Sequence, residues 1–151
     1  MPEPPRTTAL LDQVLELAAL INEDMSGSLV DRGLTPARTH LLWELLHRGP
    51  STQRVLADAL GVTARNVTGL VDRLEETGFV TREPHPQDRR ATLVTLTGHG
   101  HDVMSKMKTE HQQFADLLFA DLSERQLSAL TSGLTHVLDR LRALVSKGEA
   151  Q

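Results

Sequence analysis

Residues 51–96, STQRVLADALGVTARNVTGLVDRLEETGFVTREPHPQDRRATLVTL, constrain the fold of this chain more than any other stretch. Two runs with helical apolar spacing, each closed by a glycine, are followed by two β-like runs around a polar, proline-bearing loop. Val55, Leu56, Ala59 and Leu60 give a short helix that stops at Gly61, with Ser51 read as its N-cap. Thr63 caps the next helix, whose Val67, Leu70, Val71 and Leu74 point inward and whose C-terminal stop is Gly78. The β-like runs are Phe79 to Arg82 and Thr92 to Leu96; the second places Thr92, Val94 and Leu96 on one face and Leu93 and Thr95 on the other. Helix, turn, helix and a hairpin with arginines at its tip is the order of a winged helix-turn-helix. That arrangement presents one helix to the major groove of DNA and a basic loop to the backbone or minor groove. Ala57, Gly61 and Val67 supply its joint: a small residue lets the helices cross closely, glycine turns the chain, and a branched apolar residue locks the second helix down.

The flanks are helical. Leu11, Val14, Leu15, Ala18, Ile21, Met25 and Leu29 follow a helical period, Gly33 breaks it, and Thr35-Pro36 restarts the chain as N-cap and first helical residue. Leu41, Leu42, Leu45 and Leu46 mark a second helix that stops at Gly49-Pro50. Beyond the hairpin, Thr97 caps a long helix with Val103, Met104, Met107, Phe114, Leu117 and Leu118 on its apolar side. Ser123 and Gln126 stand in capping-box spacing before a last helix. Its Leu127, Leu130, Leu134, Val137, Leu141 and Leu144 recur in alternating steps of three and four, a seam suited to packing another helix. The expectation is therefore one mostly α domain over 1–151. A winged helix-turn-helix lobe with a two-stranded β wing fills 35–96, and long N- and C-terminal dimerisation helices fill 7–32 and 97–148, so a homodimer is expected. Residues 1–6, MPEPPR, read as a frayed leader.

Composition narrows the function classes. No apolar run approaches the ~18 residues needed to span a bilayer, and no signal-peptide pattern opens the sequence, so no membrane partner and a cytoplasmic location are expected. The absence of cysteine excludes thiol redox sensing, disulfides and cysteine-ligated metal. There is no phosphate-cradling glycine loop, no His-Glu-x-x-His motif and no Gly-x-Ser-x-Gly elbow, which argues against an enzyme and against a cofactor. The net charge of −4 looks wrong for a DNA binder until its distribution is followed. Residues 1–47 hold three arginines against seven acids, and residues 93–151 hold six bases against seven acids. Residues 48–92 hold seven arginines against six acids, so the winged-helix segment alone is positive. All its bases are arginine, whose planar fork suits phosphates and guanine edges.

Candidate DNA contacts follow from these positions. On the second helix of the pair, Thr63, Arg65, Asn66, Thr68 and Arg73 face outward. Arg65 can fork onto a guanine, Asn66 can pair with adenine, and Thr68 can reach a phosphate or a thymine methyl. Ser51, Thr52, Gln53 and Arg54 sit at a helix start, where backbone N–H groups bind phosphate. In the loop, Arg90 is read as the residue that enters a narrow minor groove, Arg89 as a phosphate contact, and Asp88 as the group that orients Arg90 by a charge-assisted hydrogen bond.

This sequence resembles the MarR family of bacterial winged-helix regulators over LTPARTHLLWELLHRGPSTQRVLADALGVTARNVTGLVDRLEETGFVTREPHPQDRRATLVTLTGHG, Leu34 to Gly100. The most specific run is LEETGFVTREPHPQDRRATLVTLT with its Asp88-Arg89-Arg90 wing; the flanking helices match in architecture more than in sequence. The resemblance implies an obligate homodimer on a pseudo-palindromic double-stranded DNA operator. It also implies repression, usually relieved when a small, often aromatic or phenolic, ligand binds between the dimer region and the DNA-binding lobe. Met25, His40, Trp43, His47 and His111 are the candidates for lining such a pocket, weighed against ordinary packing for Trp43 and ordinary surface positions for His40 and His111. Zinc-sensing relatives use Glu-His pairs on the second and fifth helices, and Glu110-His111 with His40 keep part of that pattern. The cysteine ligand is absent, however, Ala115 sits where another histidine is expected, and Thr39 precedes His40, whereas a tetrahedral site needs about four ligands. The alternatives are a helical dimeric interaction module that has lost DNA binding, and a metal-responsive regulator.

Overall fold

A computed structural model describes residues 3 and 5–149. Of the expected leader, residues 1, 2 and 4 lie outside the described residues, and Arg6 already opens the first helix. The order is α1 (Arg6–Asp31), α2 (Pro36–Arg48), β1 (Ser51–Thr52), α3 (Gln53–Leu60), α4 (Ala64–Glu76), β2 (Val80–Pro84), β3 (Thr92–Leu96), α5 (Gly98–Leu118) and α6 (Glu124–Glu149). Two compact units, Met1–Ser105 and Lys106–Gln151, divide the chain within α5.

Helix starts in the first unit follow hydroxyl caps. Thr35 accepts the N–H of Arg38 at 3.3 Å, with Pro36 as the first helical residue, and Thr63 accepts the N–H of Asn66 at 3.1 Å. The third helix corrects the sequence reading: Thr52, not Ser51, is its N-cap, accepting the N–H of Val55 at 3.2 Å. Ser51 belongs to a strand instead. β1 pairs antiparallel with β3, Ser51 opposite Val94 and Thr52 opposite Leu93, so the expected two-stranded wing is part of a three-stranded sheet in the order β1-β3-β2. A two-residue strand has no periodicity to read in a sequence, and only the arrival of β3 gives its backbone partners. β2 also runs further than expected, to Pro84 opposite Thr92. A proline lacks an N–H but is tolerated there because β2 is an edge strand.

The core of this unit joins helices to sheet. Leu41, Leu42, Leu56, Val67, Val71, Leu74, Val94 and Met104 are fully buried, each stabilising the fold by about 1.5–3 kcal/mol relative to exposure. Val94 is the inward residue of the central strand, whereas Thr92 on the same face has run out to solvent. The start of α5 is tied to the end of α4. Thr97 donates its N–H to the Phe79 carbonyl at 3.0 Å and its hydroxyl to the Gly78 carbonyl at 2.6 Å, and its Oγ1 accepts the N–H of Gly100 at 2.9 Å. Gly100 sits so close that a Cβ there would lie 2.1 Å from the Phe79 carbonyl oxygen.

Long stretches of apolar side chain stay open. In α1, Leu10, Leu11, Val14, Leu15, Leu17 and Leu20 are exposed, and Leu29 is the helix's buried residue. In the second unit the α6 seam behaves alike: Leu130, Leu134, Val137, Leu141 and Leu144 are exposed. The start of α6 is a capping box, with Ser123 N–H donating to Gln126 Oε1 at 3.0 Å and Gln126 N–H to Ser123 Oγ at 3.2 Å.

Candidate nucleic-acid interface

The geometry of α4 is set from below. Ala57 is buried at the α3–α4 crossing, Gly61 takes the left-handed conformation that ends α3 at φ 66°, and Val67, Val71 and Leu74 anchor the inner face. What remains outside is Ala64, Arg65, Asn66, Thr68, Gly69, Asp72 and Arg73. Arg65 and the Asn66 carboxamide make no hydrogen bond or ion pair among the described residues, and neither does Arg54 on α3. Arg73 pairs loosely with Glu76 at 3.3 Å. Thr63 and Thr52 each accept a capping N–H on the hydroxyl oxygen, which leaves the hydroxyl proton to donate. Ser51 departs from its expected role as a phosphate contact, because it is buried and donates its hydroxyl to the Gly49 carbonyl at 3.0 Å.

The sequence reading passed over the residue that holds this surface together. Arg82, on β2, donates from Nη2 to Asp72 at 2.6 Å and from Nη1 to Glu75 at 2.9 Å, both on α4. Its Nε donates to Gln53 Oε1 on α3 at 3.2 Å, and its main-chain N–H donates to Glu75 Oε2 at 3.1 Å. Gln53 in turn donates from Nε2 to Thr68 Oγ1 at 2.9 Å, and Thr68 donates to the Ala64 carbonyl at 3.0 Å. One guanidinium thus links α3, α4 and β2 while engaging two acids on the outer side of α4. A signal was available, since an arginine in a strand after two acids at i and i+3 of a helix is placed to bridge them, but the bridging needs the chain reversal at Gly78.

The wing tip is built from main-chain bonds. His85 donates its N–H to the Ala91 carbonyl and Ala91 its N–H to the Asp88 carbonyl, each at 3.1 Å. His85 Nδ1 accepts the N–H groups of Gln87 at 3.1 Å and Asp88 at 3.2 Å. Contrary to the expectation from sequence, Asp88 does not hold the Arg90 guanidinium among the described residues. Its carboxylate accepts the main-chain N–H of Arg90 at 3.0 Å rather than the guanidinium, an Asx-type turn that shapes the loop. The side chains of Arg89 and Arg90 are exposed and carry no ion pair among the described residues.

The lobe that carries these groups is where known proteins coincide with it. The sequence pattern of the MarR family matches residues 34–92. The HTH-type transcriptional regulator YdgJ of Bacillus subtilis is 32% identical over 120 residues, covering 78% of this chain and 70% of that protein. The chain belongs to the MarR family. The HTH-type transcriptional regulator MhqR of the same organism is 27% identical over 117 residues, 78% of this chain and 81% of that protein. The fold is also that of Streptococcus pneumoniae FabT, solved in complex with DNA, with a TM-score of 0.75 at 23% identity over 89% of this chain and 99% of that one. This MarR protein is accordingly a DNA-binding transcriptional regulator with a winged-helix fold, and its relatives are named as regulators rather than enzymes. No helix among the described residues is long and apolar enough to cross a membrane.

The pocket candidates of this MarR chain fall in both units. His47 donates from Nδ1 to the Trp43 carbonyl at 2.7 Å, their rings 5.7 Å apart, with Trp43 half-buried and His47 exposed. His40 and Met25 are exposed in the first unit, and His111 is exposed on the part of α5 in the second. A different set lines a cavity of about 220 Å³: Leu45, Leu46, Gly49, Pro50, Thr95, Leu96 and His101. Thr95 Oγ1 is buried there without a hydrogen-bond partner among the described residues. No three His, Asp or Glu side chains among the described residues converge where a metal ion would sit.

Proposed function

We propose that this MarR-family protein is a cytoplasmic homodimeric repressor. Two α4 helices related by a two-fold axis would enter successive major grooves about 34–36 Å apart on a pseudo-palindromic operator. Arg65 and Asn66 read base edges, Thr52, Arg54, Arg73 and Arg89 hold phosphates around them, and Arg90 probes the minor groove. One observation carries this reading. Arg54, Arg65, Arg89 and Arg90 stand exposed and unpaired among the described residues, while Asp72 and Glu75 on α4 are both engaged by Arg82. The single excess positive charge of the segment is therefore unevenly spread, with four arginines open to a partner and two of the α4 acids engaged by Arg82. The open apolar faces of α1 and α6 support the dimer, because each is longer than the scattered surface apolar residues of a monomer.

Release by a small ligand is supported by the cavity between α2, β3 and the start of α5. Its volume lies below the ~300–1,000 Å³ of sites for drug-sized molecules, so the occupant it fits is a small, largely apolar compound of about one ring. Recovering bound duplexes from a random DNA pool and sequencing them tests the central reading. An enriched inverted repeat with half-sites about one helical turn apart is the expected result, and adding single-ring phenols to that probe then tests release. No enrichment at low salt would favour the interaction-module reading.

A further inference from the structure

We infer that Thr68 reads a thymine in each half-site through its methyl group, with its hydroxyl proton withdrawn from base recognition. The inference rests on the placement of α4 in the major groove and specifies what one of its positions recognises.

The argument begins at Arg82, whose guanidinium has donors and no acceptor. Its Nε lies 3.2 Å from the Gln53 carboxamide, so the atom facing it is the carbonyl oxygen, and the amide orientation of Gln53 is settled. Gln53 Nε2 then faces Thr68 as a donor at 2.9 Å, so Thr68 Oγ1 must accept. The one hydroxyl proton of Thr68 is directed at the carbonyl of Ala64, 3.0 Å away and one turn back along α4. Arg82 is itself fixed by Asp72 and Glu75. Nothing is left on Thr68 to donate to a phosphate oxygen, to guanine O6 or N7, to adenine N7 or to thymine O4. The residue is nevertheless exposed, and what it offers outward is its Cγ2 methyl. Of its neighbours on α4, Arg65 and Asp72 are large, but Ala64 and Gly69 carry nothing larger than a methyl and the space above Gly69 is open, so a base edge can approach on that side. The apolar group on a major-groove edge is the C5 methyl of thymine.

Burying one methyl is worth about 0.8 kcal/mol, which at 1.4 kcal/mol per factor of ten is about fourfold per half-site and on the order of tenfold for a symmetric pair. The test uses the full chain and the operator recovered by selection, replacing each thymine by deoxyuridine symmetrically in both half-sites. This change removes the C5 methyl and leaves every hydrogen-bonding group. The expected result is one position at which the replacement weakens binding about tenfold. Thr68→Val, which keeps a methyl there, should preserve that difference. Thr68→Ser, which keeps the hydroxyl and loses the methyl, should bind the two duplexes equally, with each variant's low-salt binding to unrelated DNA showing that it is folded. The inference is overturned if no deoxyuridine position depends on Thr68, if Thr68→Val loses the discrimination, or if the half-sites contain no thymine. Failure to recover any inverted repeat overturns the DNA-binding placement of α4 together with this contact, and is distinguished by appearing before any base is modified.

Discussion

Replacing Gly100 by alanine should destabilise the protein far more than the same change two residues earlier. A Cβ on Gly100 would lie 2.1 Å from the Phe79 carbonyl oxygen and 3.0 Å from its carbon, inside any approach that Cβ atoms make. The obstacle is backbone, so no side-chain rotation relieves it, and the first turn of α5 must retreat by about an ångström. Forced overpacking of this kind costs about 1–3 kcal/mol. Retreat also lengthens the bonds that Thr97 donates to the Phe79 oxygen, 3.0 Å from its N–H and 3.2 Å from its hydroxyl, adding about 1 kcal/mol. The total is about 2–4 kcal/mol. Gly98, in the same turn, has nothing within 4 Å of an added Cβ, and alanine there should be neutral or stabilising by up to about 1 kcal/mol. Urea unfolding followed by circular dichroism, at one fixed protomer concentration, compares the two. With a slope of about 2 kcal/mol/M, Gly100→Ala should lower the midpoint by about 1–2 M while Gly98→Ala leaves it in place. Equal midpoints for the two variants would refute the close approach of α5 to Phe79.

Arg90→Ala should leave thermal stability unchanged and weaken operator binding, lowering the slope of log affinity against log salt by about one if the side chain meets phosphates. Fluorescence anisotropy across a salt series reads this, and an unaltered affinity and slope would remove Arg90 from the interface. Leu134→Arg places a charge in the apolar seam of α6, where Leu134 is already 39% exposed in the single chain. Sedimentation should show a monomer, and a surviving dimer would exclude that seam as the interface. Gly69→Ala fills open space on the outer side of α4. It should stabilise the fold by about 0.5–1 kcal/mol while reducing operator affinity; a stabilised variant that binds DNA as before would show that this face does not meet the bases.

Much of the interface was legible in the chain because its signals are local. Thr35 and Thr63 cap where hydroxyl-bearing residues precede apolar periodicity, Gly61 turns where a glycine interrupts it, and Val67, Val71 and Leu74 are buried at the spacing of one helical face. Other features were illegible for an equally physical reason. Ser51 and Thr52 are both good caps, and both pair with β3; what separates them is that the Ser51 hydroxyl is buried and turned back to the Gly49 carbonyl, whereas the Thr52 hydroxyl accepts the N–H of Val55. Asp88 was expected to hold the Arg90 guanidinium, and that it holds the Arg90 N–H instead depended on the turn that His85 closes from the opposite side.

The amino-acid sequence by itself determined the helix-turn-helix and its wing, the outward positions of Arg65, Asn66, Arg89 and Arg90, and the unpartnered seam on the last helix. Each of these follows from caps, glycines and apolar period acting over a few residues. Tertiary structure alone decided which of the outward groups remain available to a partner. Arg82 reaches Asp72, Glu75 and Gln53 across gaps of ten, seven and twenty-nine residues, and through Gln53 it commits the hydroxyl of Thr68. Donors and acceptors are satisfied by whatever lies within about 3 Å, and for residues far apart in sequence only the folded chain sets that distance.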